Sequence, residues 1–110
     1  MKLYTNGKEV KPVQMAGHHT YMYLSTENGC VCGCCAGISV YTRMEYLTPS
    51  VHEDQEGFFV LEGSGWGIVG ENEFRLEPKI AFIVPKGVEH CFKRDEDSEA
   101  VKLFWFHAAV

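Results

Sequence analysis

The chain has 110 residues, of which 45% are hydrophobic and 23% are charged, a balance that fits one globular domain and excludes a disordered chain. The formal net charge of −5 argues against nucleic acid and anionic membrane as partners. No apolar run approaches the roughly 18 residues of a membrane helix, and the N-terminus turns polar too early for a signal peptide. We therefore expect a single domain over residues 1–110, located in the cytoplasm.

Short β-rich runs separated by turn residues dominate the chain, and no long stretch shows the apolar spacing of an amphipathic helix. Eight strands are predicted in chain order: Thr20–Leu24, Ile38–Leu47, Gly57–Leu61, Trp66–Val69, Glu73–Leu76, Ile80–Val84, His90–Lys93 and Val101–His107. Glycine and asparagine between these runs supply the positive φ angles of tight turns. Many short strands at this spacing predict a sandwich or a barrel.

Two of the predicted strands are apolar on both faces. Residues Ile80–Val84 and Leu103–Phe106 lack the alternation of a strand with one face in water, so each should lie between two apolar layers. One layer is the interior of the barrel, and the other could be a second sheet or a partner subunit. Because an uncovered apolar face is uncommon on soluble monomers, we expect a homodimer.

A polar segment around His52 carries the first candidate chemistry. His52 and Glu56 are four residues apart, and on one continuous strand they would stand about 13 Å apart, too far to share an ion. The polar residues between them are predicted to form a hairpin loop, which would bring the two Cβ atoms to about 5 Å across an antiparallel pair. An imidazole and a carboxylate could then meet at one metal ion. The alternative is a surface hairpin whose polar side chains are solvated.

The second segment is a tight turn that begins a strand. Pro85 and Gly87 form a Pro-x-Gly turn, and His90 follows at the start of a predicted strand. A lone histidine in such a place is more often structural than a ligand. Its significance comes from its combination with the first segment.

Together the two segments resemble the motifs of the cupin family. In the first cupin motif, two histidines separated by one residue precede a glutamate, and a glycine follows seven residues later; Glu56 and Gly63 have that spacing. Pro85, Gly87 and His90 fall at the Pro-x-Gly-x-x-His positions of the second motif. The resemblance implies an all-β fold, the cupin-type double-stranded β-helix, which is a β-barrel of the jelly-roll type. It also implies a metal site.

Three positions depart from the family pattern. The first histidine of the first motif falls on Ser50, the last asparagine of the second motif falls on Arg94, and its opening glycine falls on Lys79. The family ligands that remain are His52, Glu56 and His90. Two histidines and one carboxylate can form a facial triad with open positions, which suits Fe(II) and tolerates Mn, Ni or Zn. We therefore expect one divalent transition metal, held less tightly than by four ligands.

Further residues are candidates for the pocket around this site. Arg94 shares its strand parity with His90, so it could clamp an anionic substrate, although the adjoining charged loop favours a solvated side chain. Phe58 should shape an apolar wall, and Tyr41 lies on a strand of which one face should line the pocket. His107 is expected to be packed and hydrogen-bonded, with a ligand role less favoured, and no role is expected for His18.

Two functions from different classes fit these residues. The first is a small metal-dependent enzyme acting on a small polar molecule, such as a sugar, a hydroxy or keto acid or a diketone-like compound, with Glu56 as ligand or general base. The second is a cupin that binds a small ligand without catalysis, or is structural, and holds no metal. The serine at position 50 favours the second function, whereas the three retained ligand types favour the first.

The chain has five cysteines, and four are crowded into Cys30, Cys32, Cys34 and Cys35. This crowding differs from the spread of a secreted disulfide framework and favours a reduced protein. The cluster could form a second soft-metal site, a redox pair, or a thiolate that replaces the histidine lost at Ser50. The alternative is that these cysteines pack as small apolar residues in a glycine-rich strand or loop.

Overall fold

The computed structural model describes residues 2–108, and half of the chain is in β-strands. The strands are β1 (Val13–Met15), β2 (His18–Leu24), β3 (Cys35–Tyr41), β4 (Gln55–Gly63), β5 (Gly65–Val69), β6 (Asn72–Leu76), β7 (Ala81–Val84), β8 (His90–Arg94) and β9 (Val101–Ala108). Short 3₁₀ turns cover Gly7–Glu9 and Thr26–Asn28. Among the described residues no helix is long and apolar enough to cross a membrane.

The strands form two antiparallel sheets. One sheet has six strands in the order β1-β2-β3-β9-β4-β7, and the other has three in the order β6-β5-β8. A single bridge between Ser50 and His90 lies beside β8. The all-β jelly-roll expected from the sequence is therefore confirmed, and β1 is a further strand that the sequence pattern did not predict.

The segment between β3 and β4 is where the structure departs most from the predicted elements. β3 ends at Tyr41 rather than at Leu47, because the charged residues that follow leave the sheet. The main-chain carbonyl of Arg43 there accepts a hydrogen bond from the amide of Arg94, at 2.9 Å. The predicted hairpin between His52 and Glu56 is wrong. His52 lies in the loop, and β4 pairs with β7 and β9 instead.

Alternation along the central strands builds the core. On β9 the inward residues Val101, Leu103 and Trp105 are buried, whereas the alternate residues Phe104 and Phe106 are exposed. Inward residues of the neighbouring strands complete one apolar cluster, which also contains Phe58, Val60, Val69, Leu76, Val84 and Phe92. The period of two thus divides each strand into a core face and an outer face.

Two turn positions show why the backbone needs particular residues. Gly63 has φ +83°, and a Cβ there would overlap the carbonyl oxygen of Ala100, so only glycine fits. Lys79 has φ +77° although it carries a side chain. The cupin pattern has a glycine at this position, where this chain has Lys79. The left-handed conformation costs about 1 kcal/mol for a residue with a Cβ.

The outer face of the six-stranded sheet carries an apolar patch. It consists of Phe59, Leu61, Ile83, Phe104 and Phe106, whose exposed fractions range from 36% to 50%. Phe59 lies opposite Phe104, and Gly57 lies opposite both Phe106 and Ile83 in the strand pairing. The patch is therefore continuous across β7, β4 and β9.

Candidate functional site

Main-chain pairing brings the two polar segments to one end of the interior. Glu56 on β4 lies opposite His107 on β9. His90 begins β8 and exchanges two main-chain hydrogen bonds of 2.9 Å with Ser50, and the carbonyl of His52 accepts a hydrogen bond from the amide of Gly87, also at 2.9 Å. These bonds tie the loop that carries His52 to the turn before His90.

Three potential ligand atoms converge at this end. The Nε2 atoms of His52 and His90 lie 3.4 and 3.5 Å from Oε1 of Glu56. One donor atom from each of the three residues lies within 4.8 Å of the others, so the group could hold a metal ion. Oε1 of Glu56 is buried and has no hydrogen-bond partner among residues 2–108.

The electrostatics of the group suit a cation rather than a network of hydrogen bonds. Burial raises the pKa of Glu56 to about 7, although His107 lowers it. Burial, with a smaller effect of His52, lowers the pKa of His90 to about 4, and burial also lowers the pKa of His52. A neutral imidazole whose proton is on Nδ1 presents the lone pair of Nε2, so in that tautomer the two imidazoles and the Glu56 carboxylate can bind one metal ion together.

Two residues that the sequence analysis did not place in the site also touch it. His107 lies with Nε2 at 3.2 Å from Oε2 of Glu56 and with Nδ1 at 2.9 Å from Oδ1 of Asp54. The parity of His107 with Leu103 and Trp105 was the available signal for an inward direction. Asp54 gave no such signal, since it belongs to the polar segment that was predicted to be a hairpin loop.

The ligand atoms open onto a cavity of about 210 Å³. Its wall combines four histidines, one glutamate, hydroxyl groups and apolar side chains: Met15, His18, Thr20, Met22, Ser39, Tyr41, Ser50, His52, Glu56, Phe58, His90, Trp105 and His107. Tyr41 and Phe58 therefore lie where the sequence analysis expected pocket residues. His18, for which no role was expected, is stacked on Tyr41 with ring centroids 4.3 Å apart.

Arg94 lies outside this cavity, and the structure gives its side chain different partners. Its guanidinium donates hydrogen bonds to the main-chain carbonyls of Thr42, Asp95 and Ser98, at 2.7 to 3.1 Å. The sequence analysis named Arg94 as a possible clamp for an anionic substrate and favoured a solvated side chain; here the guanidinium is engaged by main-chain carbonyls instead. Arg94 instead fastens the loop after β3 and the turn after β8 to one another.

The cysteine cluster lies beside the site rather than in it. Cys32 and Gly33 have φ angles of +55° and +79°, which curl the backbone, and Cys35 begins β3 opposite His107. All five cysteines are free. Among residues 2–108 the cysteines are not part of any group of three potential ligands, so the structure does not support the second soft-metal site.

Comparison with known proteins agrees with this geometry. A family model described as the cupin domain matches residues 43–107, which include both polar segments. A search of curated protein sequences finds no match.

Solved structures with the same fold include proteins of different kinds. Fe(II) HppE in complex with its substrate has a TM-score of 0.84 at 16% identity and covers 96% of this chain, which spans 59% of the HppE chain. The polyketide cyclase RemF from Streptomyces resistomycificus has a TM-score of 0.80 at 18% identity, with 97% and 79% of the two chains covered. The Cnp3 cupin domain of Schizosaccharomyces pombe has a TM-score of 0.77 at 21% identity, with 94% and 71% covered.

Proposed function

Because the chain belongs to the cupin family, we propose that His52, Glu56 and His90 bind one divalent transition metal and that the protein is a small metal-dependent enzyme. We further infer that residues 1–110 form a single cupin domain. Its substrate would be a small polar molecule that reaches the metal through the cavity beside β2 and β3.

One observation carries this proposal. Oε1 of Glu56 is buried without a hydrogen-bond partner among the described residues, and it faces the Nε2 atoms of His52 and His90. A buried polar atom left unpaired costs about 1–3 kcal/mol, and a metal ion bound to Oε1 and to the two imidazoles would give this atom a partner. A cation between these three residues removes that penalty, so the donor set fits a metal ion.

The donor set also limits the choice of metal. Two imidazoles and one carboxylate leave three positions of an octahedron open, which suits Fe(II) and also admits Mn, Ni or Zn. The similarity in fold to an Fe(II) enzyme supports iron as the first candidate. When bound, such an ion supplies Lewis-acid or oxygen-activating chemistry, while Glu56 serves as a ligand or, where the ion is loosely held, as a general base.

The cavity supports a small, uncharged or metal-chelating substrate. Its volume of about 210 Å³ favours a small molecule, since pockets for drug-sized ligands measure about 300–1,000 Å³. No lysine or arginine is among its described lining residues, so the metal itself would neutralise an anionic substrate group. Hydroxy or keto acids and diketone-like compounds fit this better than phosphorylated sugars, and Tyr41 and Phe58 would contact the remainder of the substrate.

A non-catalytic cupin that binds a small ligand is the second candidate. The observation that favours it is Ser50, which replaces one ligand of the family pattern and lies on the cavity wall. Such a protein would hold the ligand between the hydroxyl and apolar groups of the cavity without a metal.

Metal analysis separates the two candidates. We expect protein purified without chelator to carry about one transition metal per chain, the stoichiometry of a mononuclear site, and His52→Ala and His90→Ala to lose most of it. His19→Ala is the matched control, because His19 alternates with His18 along β2 and is not among the residues that line the cavity. Metal at background level in the wild type, or equal loss in all three variants, would reject the metal-dependent enzyme.

We also propose that the protein is a cytoplasmic homodimer. Free cysteines support a reducing compartment. The apolar patch on β7, β4 and β9 supports pairing of two copies, because two-fold contact covers the same patch on both. Sedimentation equilibrium at micromolar concentration should give twice the chain mass of 12.4 kDa and should return the monomer mass for Phe104→Glu; a monomeric wild type would reject the dimer.

A further inference from the structure

We propose that Asp54 and His107 form a clamp that orients the carboxylate of Glu56 for metal binding, with His107 as a positioning residue rather than a ligand. This inference rests on the proposed metal site of His52, Glu56 and His90. It assigns a role to two residues that are not among the defining positions of either sequence motif.

The clamp is a chain of three side chains. Nδ1 of His107 lies 2.9 and 3.1 Å from the two carboxylate oxygens of Asp54, and Nε2 lies 3.2 Å from Oε2 of Glu56. The three side chains are 15%, 27% and 8% exposed for His107, Asp54 and Glu56. Such shielded, charge-assisted contacts are stronger than contacts on an open surface.

The surroundings hold the imidazole in this orientation. His107 lies on β9 between Cys35 of β3 and Glu56 of β4, so main-chain pairing on both sides sets the direction of its side chain. The ring packs edge-on against Trp105, with centroids 5.5 Å apart, and against His52, with centroids 4.9 Å apart. Because two strands and two neighbouring rings fix the imidazole, it can hold the Glu56 carboxylate in one orientation.

The clamp decides which oxygen of Glu56 faces the metal ligands. The terminal torsion of a glutamate is broad, so a free carboxylate rotates and can offer either oxygen or both. Contact of Oε2 with His107 leaves Oε1 directed at His52 and His90. A carboxylate held in this way binds through one oxygen and keeps the remaining positions open for substrate. Outer partners of this kind commonly change metal affinity by about 10–100-fold.

Geometry favours the clamp over a fourth ligand. The group whose donor atoms all lie within 4.8 Å of one another contains His52, Glu56 and His90 but not His107. The contact of His107 is with Oε2 of Glu56, whereas His52 and His90 face Oε1.

Replacement of His107 by two amides of different length tests this role. In His107→Gln the amide nitrogen can occupy the place of Nε2 and donate to Glu56, whereas in His107→Asn it reaches only the place of Nδ1. With Co²⁺ as the probe, we expect His107→Asn to bind about 10–100-fold more weakly than the wild type and His107→Gln to recover most of that loss. Asp54→Asn should weaken Co²⁺ binding less, because His107 keeps its contact with Glu56 and loses only the carboxylate that orients its ring.

The count of imidazole ligands separates positioning from ligation. X-ray absorption of the Co²⁺ protein should show two imidazoles in the wild type and two in His107→Gln; three in the wild type and two in the variant would overturn the clamp in favour of a ligand. Equal Co²⁺ affinity of His107→Asn, His107→Gln and the wild type would overturn the clamp alone. Failure of the wild type to bind Co²⁺ would overturn the proposed function and the clamp with it.

Discussion

The interior of the barrel has a polar half and an apolar half that are built by the same strands. The inward rows are Glu56, Phe58 and Val60 on β4, His90 and Phe92 on β8, and His107, Trp105 and Leu103 on β9. In each row one step of two residues, about 7 Å, separates a titratable side chain from a large apolar one. The boundary therefore crosses all three strands at the same level.

The two halves contribute differently to the molecule. In the apolar half Phe58 stacks on Phe82, and Phe92 meets both rings edge-on, so burial and packing stabilise the fold. In the polar half burial shifts the pKa of Glu56 upward and that of His90 downward. In both cases the buried environment disfavours the charged form of the side chain. Stability comes from one half, and the capacity to bind a cation comes from the other.

The largest expected effect tests the apolar half. Leu103 is fully buried and sits two residues from Trp105 on β9, so Leu103→Ala should lower the free energy of unfolding by about 2–5 kcal/mol through lost burial and a cavity. Ile83→Ala is the control, because Ile83 is 50% exposed on the outer patch. Urea unfolding of the metal-free proteins measures both, and equal losses would contradict the assignment of the core to this half.

The second prediction tests the polar half. Co²⁺ at 100 times its dissociation constant should raise the free energy of unfolding by about 2.7 kcal/mol, because the ion binds only the folded protein. The increment should vanish in His90→Ala and persist in His19→Ala. Denaturant unfolding with and without Co²⁺ gives the difference, and an increment of the same size in His90→Ala would show that the ion binds elsewhere.

A third, smaller effect follows from the raised pKa of Glu56. Because its pKa in the folded protein is about 7 and its ordinary value is 4.5, its stabilising contribution is complete below pH 4.5 and is lost as the pH rises through 7. Metal-free wild type should therefore lose about 1 kcal/mol between pH 6.5 and 8 relative to Glu56→Gln. Parallel pH profiles for the two proteins would show that burial of this carboxylate has no energetic cost.

The smallest predicted effect concerns backbone strain in the turn before β7. Unfavourable local energies are therefore not confined to the polar half of the molecule. Lys79 is exposed and has φ +77°, so Lys79→Gly should stabilise the protein by up to about 1 kcal/mol. Lys86→Gly is the matched control, because Lys86 is also exposed and is not among the residues with positive φ. Thermal unfolding should move in opposite directions for the two variants; the same direction would reject the strain.

Much of the fold and part of the site could be predicted from local patterns. Alternating apolar residues and turn-forming glycines located eight of the nine strands in the described residues 2–108, because both signals depend on neighbours within a few residues. Glu56 and His90 were identified from their spacing within short motifs. The sequence correctly predicted that His52 and Glu56 lie close together. It wrongly predicted that a hairpin brings them together, because His52 lies in the loop before β4 rather than on a paired strand.

The sequence by itself determined the strand periodicity, the turn residues and the candidate set of His52, Glu56 and His90, because these depend on spacing along the chain. Only the tertiary structure decided that Arg94 fastens two loops and that His107 meets Asp54 and Glu56. The contacts of Arg94 with Thr42 and of His107 with Asp54 join residues 52 and 53 positions apart in the chain. Their partners are chosen by which strands pair in the sheet, and no local pattern of residue types carries that information.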